Sequence, residues 1–243
     1  ADAAVTVMVR IESDVCTLGV DTSGEILHKR GHKEAVNTAP IRETMAALLL
    51  GLCGYDGNEP VVDPMCGSGT FVIEAAEIAT GLKPGRARHF AFEHLATFDA
   101  AAWATMRTGC DERAAISDLK FQGSDRDGAA VAMSRANAAR AGVGDLTVFR
   151  QHSVSELEAP AGLPGLVIVN PPYGARLGDA SKLKPLYRAL GQTLRDSFSG
   201  WRVGLITSES DLARATGLPF KPPSAPISHG GIRIRLYQTA ALS

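Results

Sequence analysis

β-branched residues alternate at the two ends of the chain. Val5, Val7, Val9 and Ile11 alternate with Thr6, Met8 and Arg10. Val15 to Val20 and Ile26-Leu27 follow, separated by Ser13-Asp14 and Thr22-Ser23-Gly24. This predicts a small β-meander over residues 5–30. After Gly31 the pattern changes. Asn37-Thr38-Ala39-Pro40 predicts a helix start, with Thr38 as N-cap and Pro40 in the first turn. The helix runs through Met45 and Leu48-Leu49-Leu50 and stops near Gly51 or Gly54. From residue 60 strands and helices alternate. Strands are expected at Val61-Val62, Leu119 to Gly123, Leu146 to Phe149, Leu166 to Val169 and Arg202 to Thr207. Helices are expected from Gly69 to Thr80, Gly128 to Ala141, Leu183 to Phe198 and Asp211 to Thr216. Residues 81–118 read as an irregular insertion with a helix around Ala100 to Arg107, and Leu218 to Pro226 as a loop. Ile232 to Tyr237 alternates again, as an antiparallel last strand would. The expected fold is α/β, a mostly parallel doubly wound sheet with that last strand reversed.

Composition narrows the class. The 243 residues are 45% hydrophobic and 21% charged, which suits one large domain or a domain with a small appendage. No apolar run reaches the roughly 20 residues of a membrane span, and Ala1-Asp2-Ala3-Ala4 has no basic signal-peptide start. The missing initial Met fits a trimmed chain or a fragment. Cys16, Cys53, Cys66 and Cys110 form no Cys-x-x-Cys pair. That argues against zinc and a disulfide framework, and fits a reducing cytoplasm. His89 and His94 also lack metal-ligand spacing, so no metal is expected. The net charge of −1 counts against tight RNA binding by this chain alone. Three basic clusters stand out: His28 to Lys33; Lys83, Arg86 and Arg88; and Arg233 with Arg235. A solvated surface explains each at least as well as phosphate contact.

The chemistry sits at expected strand ends. Asp63-Pro64-Met65-Cys66-Gly67-Ser68-Gly69-Thr70 joins the first parallel strand to its helix. Gly67 and Gly69 allow a sharp turn and close backbone approach to a ligand. No Gly-Lys-Ser/Thr follows, so this is not a triphosphate loop. Val72 replaces the third glycine of a dinucleotide fingerprint. An acid before the glycines suits a cationic amino group. The plain alternative is an ordinary tight βα turn. Cys66 lacks a partnering base and reads as structural. Asp125 ends the next strand, where an acid accepts ribose hydroxyls; a helix N-cap beside Asp127 is the alternative. Ser153, after the third strand, could touch an adenine, although a loop serine serves a local turn equally well. An ammonium, a ribose and an adenine occur together in S-adenosylmethionine.

Asn170-Pro171-Pro172-Tyr173 follows the buried run Leu166-Val167-Ile168-Val169. An amide oxygen and a carbonyl can accept the two hydrogens of an exocyclic amine, and the tyrosine ring can stack on its base. A rigid turn is the bland alternative.

The chain resembles the class I methyltransferase domain of RNA guanine-N2 methyltransferases, whose members usually carry an N-terminal THUMP RNA-binding domain. The resemblance rests on Leu27 to Gly31, Ala39 to Thr44, Asp63 to Thr70, Arg88 to Glu93, Gly123 to Asp125, Asn137-Ala138 with Ala141-Gly142, and Asn170 to Leu177. It is most like the bacterial branch acting on large-subunit ribosomal RNA, on His89 to Glu93 and Asn170 to Gly174. The resemblance implies a Rossmann-like fold with S-adenosylmethionine as cofactor and S-adenosylhomocysteine as product. It implies that Asp63, Cys66, Gly67, Gly69, Thr70, Pro40 and Ile41 hold or line the methionine end, Asp125 the ribose, and Ser153 the adenine, with Asn170 bordering the cofactor. The family usually has Asp where Ser153 stands. Asn170, Pro171, Pro172 and Tyr173 would hold the target base. Residues 1–36 would be a connector after an RNA-binding domain, and 37–243 the catalytic domain. RNA, ribosomal or transfer, is the implied partner; no obligate protein partner is inferred. Adenine-N6 methylation and a non-catalytic RNA-binding or assembly role are the rival readings.

Overall fold

The computed structural model describes residues 5–33, 41–110, 112–114, 119, 121–173 and 180–243. In chain order the elements are β1 (Thr6–Glu12), β2 (Val15–Asp21), α1 (Glu43–Leu52), β3 (Val61–Asp63), α2 (Thr70–Ala79), α3 (Ala100–Arg107), β4 (Phe121–Asp125), α4 (Gly128–Arg140), β5 (Thr147–Gln151), β6 (Leu166–Val169), α5 (Lys184–Ser197), β7 (Arg202–Thr207), α6 (Ser210–Ala215), β8 (Ile227–His229) and β9 (Ile232–Gln238). The chain divides into two compact units, Ala1–Gly31 with Gly81–Ala114, and His32–Thr80 with Ala115–Ser243. The expected division at residues 36 and 37, and the expected helix start at Thr38 and Pro40, lie outside the described residues. Among the described residues no helix is long and apolar enough to cross a membrane.

In the first unit β1 and β2 form an antiparallel hairpin, from Thr6 opposite Asp21 to Glu12 opposite Val15. Ser13 and Asp14 turn it at φ 49° and 60°. Two successive positive φ values match the twist of the flanking strands, and Asp tolerates that region. The third strand expected at Ile26-Leu27 does not form. Lys29 N–H donates to Ile26 O at 2.9 Å, which closes a turn instead. The preceding backbone is already committed. Phe92 N–H donates to Thr22 O at 3.0 Å, and the Arg88 guanidinium donates to Ser23 O at 2.7 Å and to Glu25 O. Arg88 also lies 4.7 Å from the centroid of the Phe90 ring, so it is structural rather than a surface cation. Trp103 meets Phe90 and Phe92 edge to face and the two phenylalanines stack on each other, which gives the insertion its own small core. Asp99 caps α3 by accepting from Ala101 N and Ala102 N at 2.9 Å.

The second unit holds a seven-stranded sheet in the order β5-β4-β3-β6-β7-β9-β8. Strands β3 to β7 are parallel; β9 runs antiparallel to β7, as expected. β8 pairs antiparallel with β9 at the edge and was not expected from the sequence. The sheet is doubly wound. From β3 the chain steps outward to β4 and β5, then returns to lay β6 on the other side of β3. Ligands of such sheets bind at that reversal, outside the carboxyl ends of the strands. β3 and β6 are fully buried, which explains the unbroken apolar sequence of β6 and the Val61-Val62 pair that leads to Asp63 in β3. Tyr187, Leu190, Leu194 and Phe198 of α5 and its exit pack with Val167, Val169, Val203 and Leu205 as the core of one face.

Candidate active site

Asp63 ends β3 and is 2% exposed. Its Oδ1 accepts the Met65 N–H at 3.0 Å. Burial pushes its carboxyl up to about 8, with the Asp125 charge adding to the effect. Among the described residues no cation is bonded to it, so an arriving ammonium would find a carboxyl that gains by ionising.

The turn after Asp63 is held from three sides. Cys66 N–H donates to Ser124 O at 2.9 Å, Ser134 Oγ to Gly67 O at 2.8 Å, and Asn137 Nδ2 to Ser68 O at 3.0 Å. Gly67 and Gly69 sit at φ +53° and +82°. They serve different ends. A Cβ on Gly67 would meet nothing within 4 Å, whereas one on Gly69 would come within 3.0 Å of Ser134 Cβ and 3.1 Å of the Phe149 ring. Gly67 leaves room above the turn; Gly69 lets α2 start against α4 and β5. Cys66 is buried, its Sγ 3.8 Å from Ser134 Oγ, and burial pushes its thiol up, so it stays protonated.

Asp125 ends β4. Its Oδ2 accepts the Gly67 N–H and its Oδ1 the Asp127 N–H, each at 3.0 Å. The N-cap of α4 is Asp127, which accepts from Ala129 N at 2.9 Å. Asp125 is thus free of capping duty, and its oxygens keep lone pairs for a ribose. Ser153 is exposed. Its hydroxyl and N–H both donate to Glu156 Oε2, at 2.9 and 2.8 Å. That commits the serine proton locally and leaves its oxygen able to accept.

Thr70 is buried at the start of α2, and its hydroxyl accepts from Lys33 Nζ at 2.8 Å. Lys33 Nζ also donates to Ile41 O at 2.9 Å and lies 3.5 Å from Glu43 Oε1. Desolvation lowers the Lys33 ammonium and the Glu43 carboxylate opposes this. The sequence places Lys33 in a basic cluster; the fold makes it a half-buried strut that fixes Ile41 beside α2. Arg30 and His32 of the same cluster are buried. Pro40 lies outside the described residues, as do Gly174-Ala175-Arg176-Leu177.

Asn170 follows β6, on the strand adjacent to β3. Val62 is level with Val167. Asn170 therefore lies about two residues, roughly 7 Å, farther along than Asp63. Its Oδ1 is shielded from solvent and has no hydrogen-bond partner among the described residues. A buried amide oxygen left unpaired costs about 1–3 kcal/mol. Pro171 is buried, and Tyr173 packs its side chain against the α5 core. Burial pushes the Tyr173 phenol up to about 12, so it remains neutral. The Pro172 carbonyl accepts from the Tyr187 hydroxyl at 3.2 Å. Tyr187 was legible in the sequence only as one apolar-face residue of a helix.

A cleft of about 300 Å³ is lined by Val62 of β3, Gln122 and Ser124 of β4, Arg150 of β5, and His152 and Leu157 among others. None of the residues expected at the site lines it. Asp63, Gly67, Asp125 and Asn170 instead gather around the carboxyl ends of β3, β4 and β6. Among the described residues no cluster of His, Cys, Asp or Glu is placed to hold a metal.

Residues 30–221 match the UPF0020 family, described as RMKL-like, methyltransferase domain. The chain belongs to this family. It is 39% identical over 214 residues to the ribosomal RNA large subunit methyltransferase K/L of Vibrio campbellii, covering 86% of this chain and 30% of that protein. It therefore spans about a third of the length of the curated relatives it matches. SMU.472, solved in complex with SAH, superposes with a TM-score of 0.85 at 33% identity, over 98% of this chain and 62% of that one. A predicted N6-adenine-specific DNA methylase from Listeria monocytogenes str. 4b F2365 gives 0.81 at 35% identity, over 97% and 60%. The fold is that of class I methyltransferases, as the motifs led us to expect.

Proposed function

We propose that the chain transfers a methyl group from S-adenosylmethionine to the N2 amine of a guanine in RNA. The name of the Vibrio relative supports large-subunit ribosomal RNA as the substrate, and the SAH complex of SMU.472 supports the cofactor. The observation that carries the reading is the shielded, unpaired Asn170 Oδ1 beside the strand that ends in Asp63. The residues fit the cofactor. Asp63 is a buried acid awaiting a cation, Gly67 leaves open space, and Asp125 offers carboxylate lone pairs one strand away.

When bound, S-adenosylmethionine supplies an electrophilic methyl on a sulfonium, which departs as the neutral thioether S-adenosylhomocysteine. Asp63 would hold its ammonium, Asp125 its ribose, and Ser153 Oγ its adenine. Asn170 Oδ1 and the Pro171 carbonyl accept the two amine hydrogens. These bonds concentrate the amine lone pair, otherwise delocalised into the base, and aim it at the methyl carbon. Tyr173 stacks on the base. As the new N–C bond forms and the S–C bond breaks, one amine proton is released to solvent. Positioning supplies the rate, and no covalent enzyme intermediate is required.

Adenine N6 is the second reading, favoured by the name of the Listeria neighbour and by the same two-acceptor geometry. Incubating the chain with S-adenosylmethionine and unmethylated ribosomal RNA, then digesting to nucleosides for mass spectrometry, separates the two. N2-methylguanosine supports the guanine reading. N6-methyladenosine as the sole product replaces it with the second. Absence of any methylated nucleoside, together with no cofactor binding in titration calorimetry, leaves a non-catalytic module.

A further inference from the structure

We propose that Tyr187 is a positioning residue for methyl transfer, acting through the Pro172 carbonyl. The proposal rests on the reading of Asn170 to Tyr173 as the base-holding tetrapeptide. Tyr187 lies on α5 and is fully buried. Its neighbours on that face, Leu190 and Leu194, are apolar and fill the core without any hydroxyl. A hydroxyl at such a depth costs stability unless it is bonded. The Tyr187 hydroxyl lies 3.2 Å from Pro172 O and 3.5 Å from Thr207 Oγ1. It has one proton to give. A carbonyl can only accept, so the tyrosine donates its proton to Pro172 O and its oxygen is left to accept from the Thr207 hydroxyl. Thr207 is itself fully buried and accepts the Glu209 N–H at 3.1 Å. The end of β7 thus braces α5, and α5 braces the tetrapeptide.

The tetrapeptide needs an external brace for a covalent reason. Pro171 and Pro172 have no N–H, so neither can be held through a backbone donor. Their rings set φ near −65°, and Pro172 holds Pro171 to an extended ψ, but the ψ of Pro172 is left open. The ψ of Pro172 decides where its carbonyl points, and with it the plane of the peptide that carries Tyr173. By bonding that carbonyl, Tyr187 fixes ψ and so fixes the approach of the Tyr173 ring to a base. Burial pushes the Tyr187 phenol up, so it stays a donor through the neutral range.

The test is Tyr187→Phe in the full chain, assayed on an unmethylated large-subunit ribosomal RNA transcript beside wild type and Asn170→Ala. Phe keeps the ring in the core and removes only the hydroxyl. The expected result is a kcat about tenfold lower, the loss of roughly one hydrogen bond at the transition state. Cofactor affinity and KM for RNA stay within about twofold, because positioning acts after binding. Thr207→Val, which leaves the tyrosine in place, gives a smaller fall in kcat in the same direction. Full kcat in Tyr187→Phe beside an inactive Asn170→Ala overturns the positioning role alone. A fall in kcat matched by an equal fall in cofactor affinity overturns it too, because that is a packing defect. Full activity in Asn170→Ala overturns the base-holding reading and this inference with it.

Discussion

Asp125 accepts the Gly67 amide at 3.0 Å across 58 positions of sequence. The bond joins the carboxyl end of β4 to the glycine turn after β3. The acid assigned to the ribose and the turn assigned to the methionine end are therefore one rigid piece. Preorganisation of this kind lowers the ordering cost of binding. Asp125→Ala removes this bond together with the one from Asp127 N–H. Calorimetry should show S-adenosylmethionine binding weakened by at least about tenfold, which is 1.4 kcal/mol. Asp125→Asn, which keeps one acceptor oxygen, should fall between the two.

On the proposed pairing with the ammonium, Asp63 should make cofactor binding depend on pH. Its carboxyl is held up to about 8 in the cofactor-free chain by burial. An ammonium pairs with the ionised form, so binding at pH 7 should expel about one proton. Calorimetry in two buffers of different ionisation enthalpy reads that number directly. Affinity should rise with pH toward about 8 and fall above it, as the ligand's own α-ammonium loses its proton. The stability of the cofactor-free chain moves the other way. Its folded pKa is raised, so between about pH 4 and pH 8 the unfolded chain has lost this proton while the folded chain retains it. Stability falls across that window as pH rises. Asp63→Asn should flatten this slope and weaken cofactor binding. Buffer-independent binding heats would remove the proposed ammonium pair.

The two turn glycines should separate in mutagenesis. Gly69→Ala forces a side chain into φ +82° and against Ser134 and Phe149. Strain near 1–2 kcal/mol plus overpacking of about 1–3 kcal/mol should lower the melting temperature by several degrees. Gly67→Ala meets open space and carries the strain alone, about 1 kcal/mol. Its main effect should be on cofactor affinity, because the added methyl occupies the room left above the turn. Thermal melts with and without S-adenosylmethionine distinguish the two outcomes.

What the sequence disclosed follows from how local each signal is. β6 is four buried residues in a row, so an apolar run followed by Asn170-Pro171 marks both the strand and its end. Ile26-Leu27 had the right residue types for a strand, but its neighbours' backbone bonds go to residues 88–92, a partner 65 positions away for Ser23 and Arg88. β8 is only Ile227–His229, partly exposed, and exists because the Gly230-Gly231 turn folds it onto β9. Three residues make no period. Charge counting misjudged Arg88 and Lys33, since composition records a cation and not the carbonyl or hydroxyl it is spent on. Tyr187 was hidden for the same reason. Its role lies in one hydroxyl meeting a carbonyl 15 positions upstream.

Asn170 gives the sharpest division between chemistry and structure. Its Oδ1 has no partner among the described residues, so removing it breaks no bond there. Asn170→Ala should leave the melting temperature within about 2–4 °C of wild type, an effect near 1 kcal/mol. Cofactor affinity should stay within about twofold, since Asp63, Gly67 and Asp125 are intact. Methyl transfer should fall by about a hundredfold or more, because the amine loses the acceptor that aims its lone pair. Single-turnover transfer from labelled S-adenosylmethionine, measured beside cofactor titration, reads both quantities. A parallel collapse of transfer, affinity and melting temperature would make Asn170 a structural residue. Unchanged transfer would move the amine-binding role to another group.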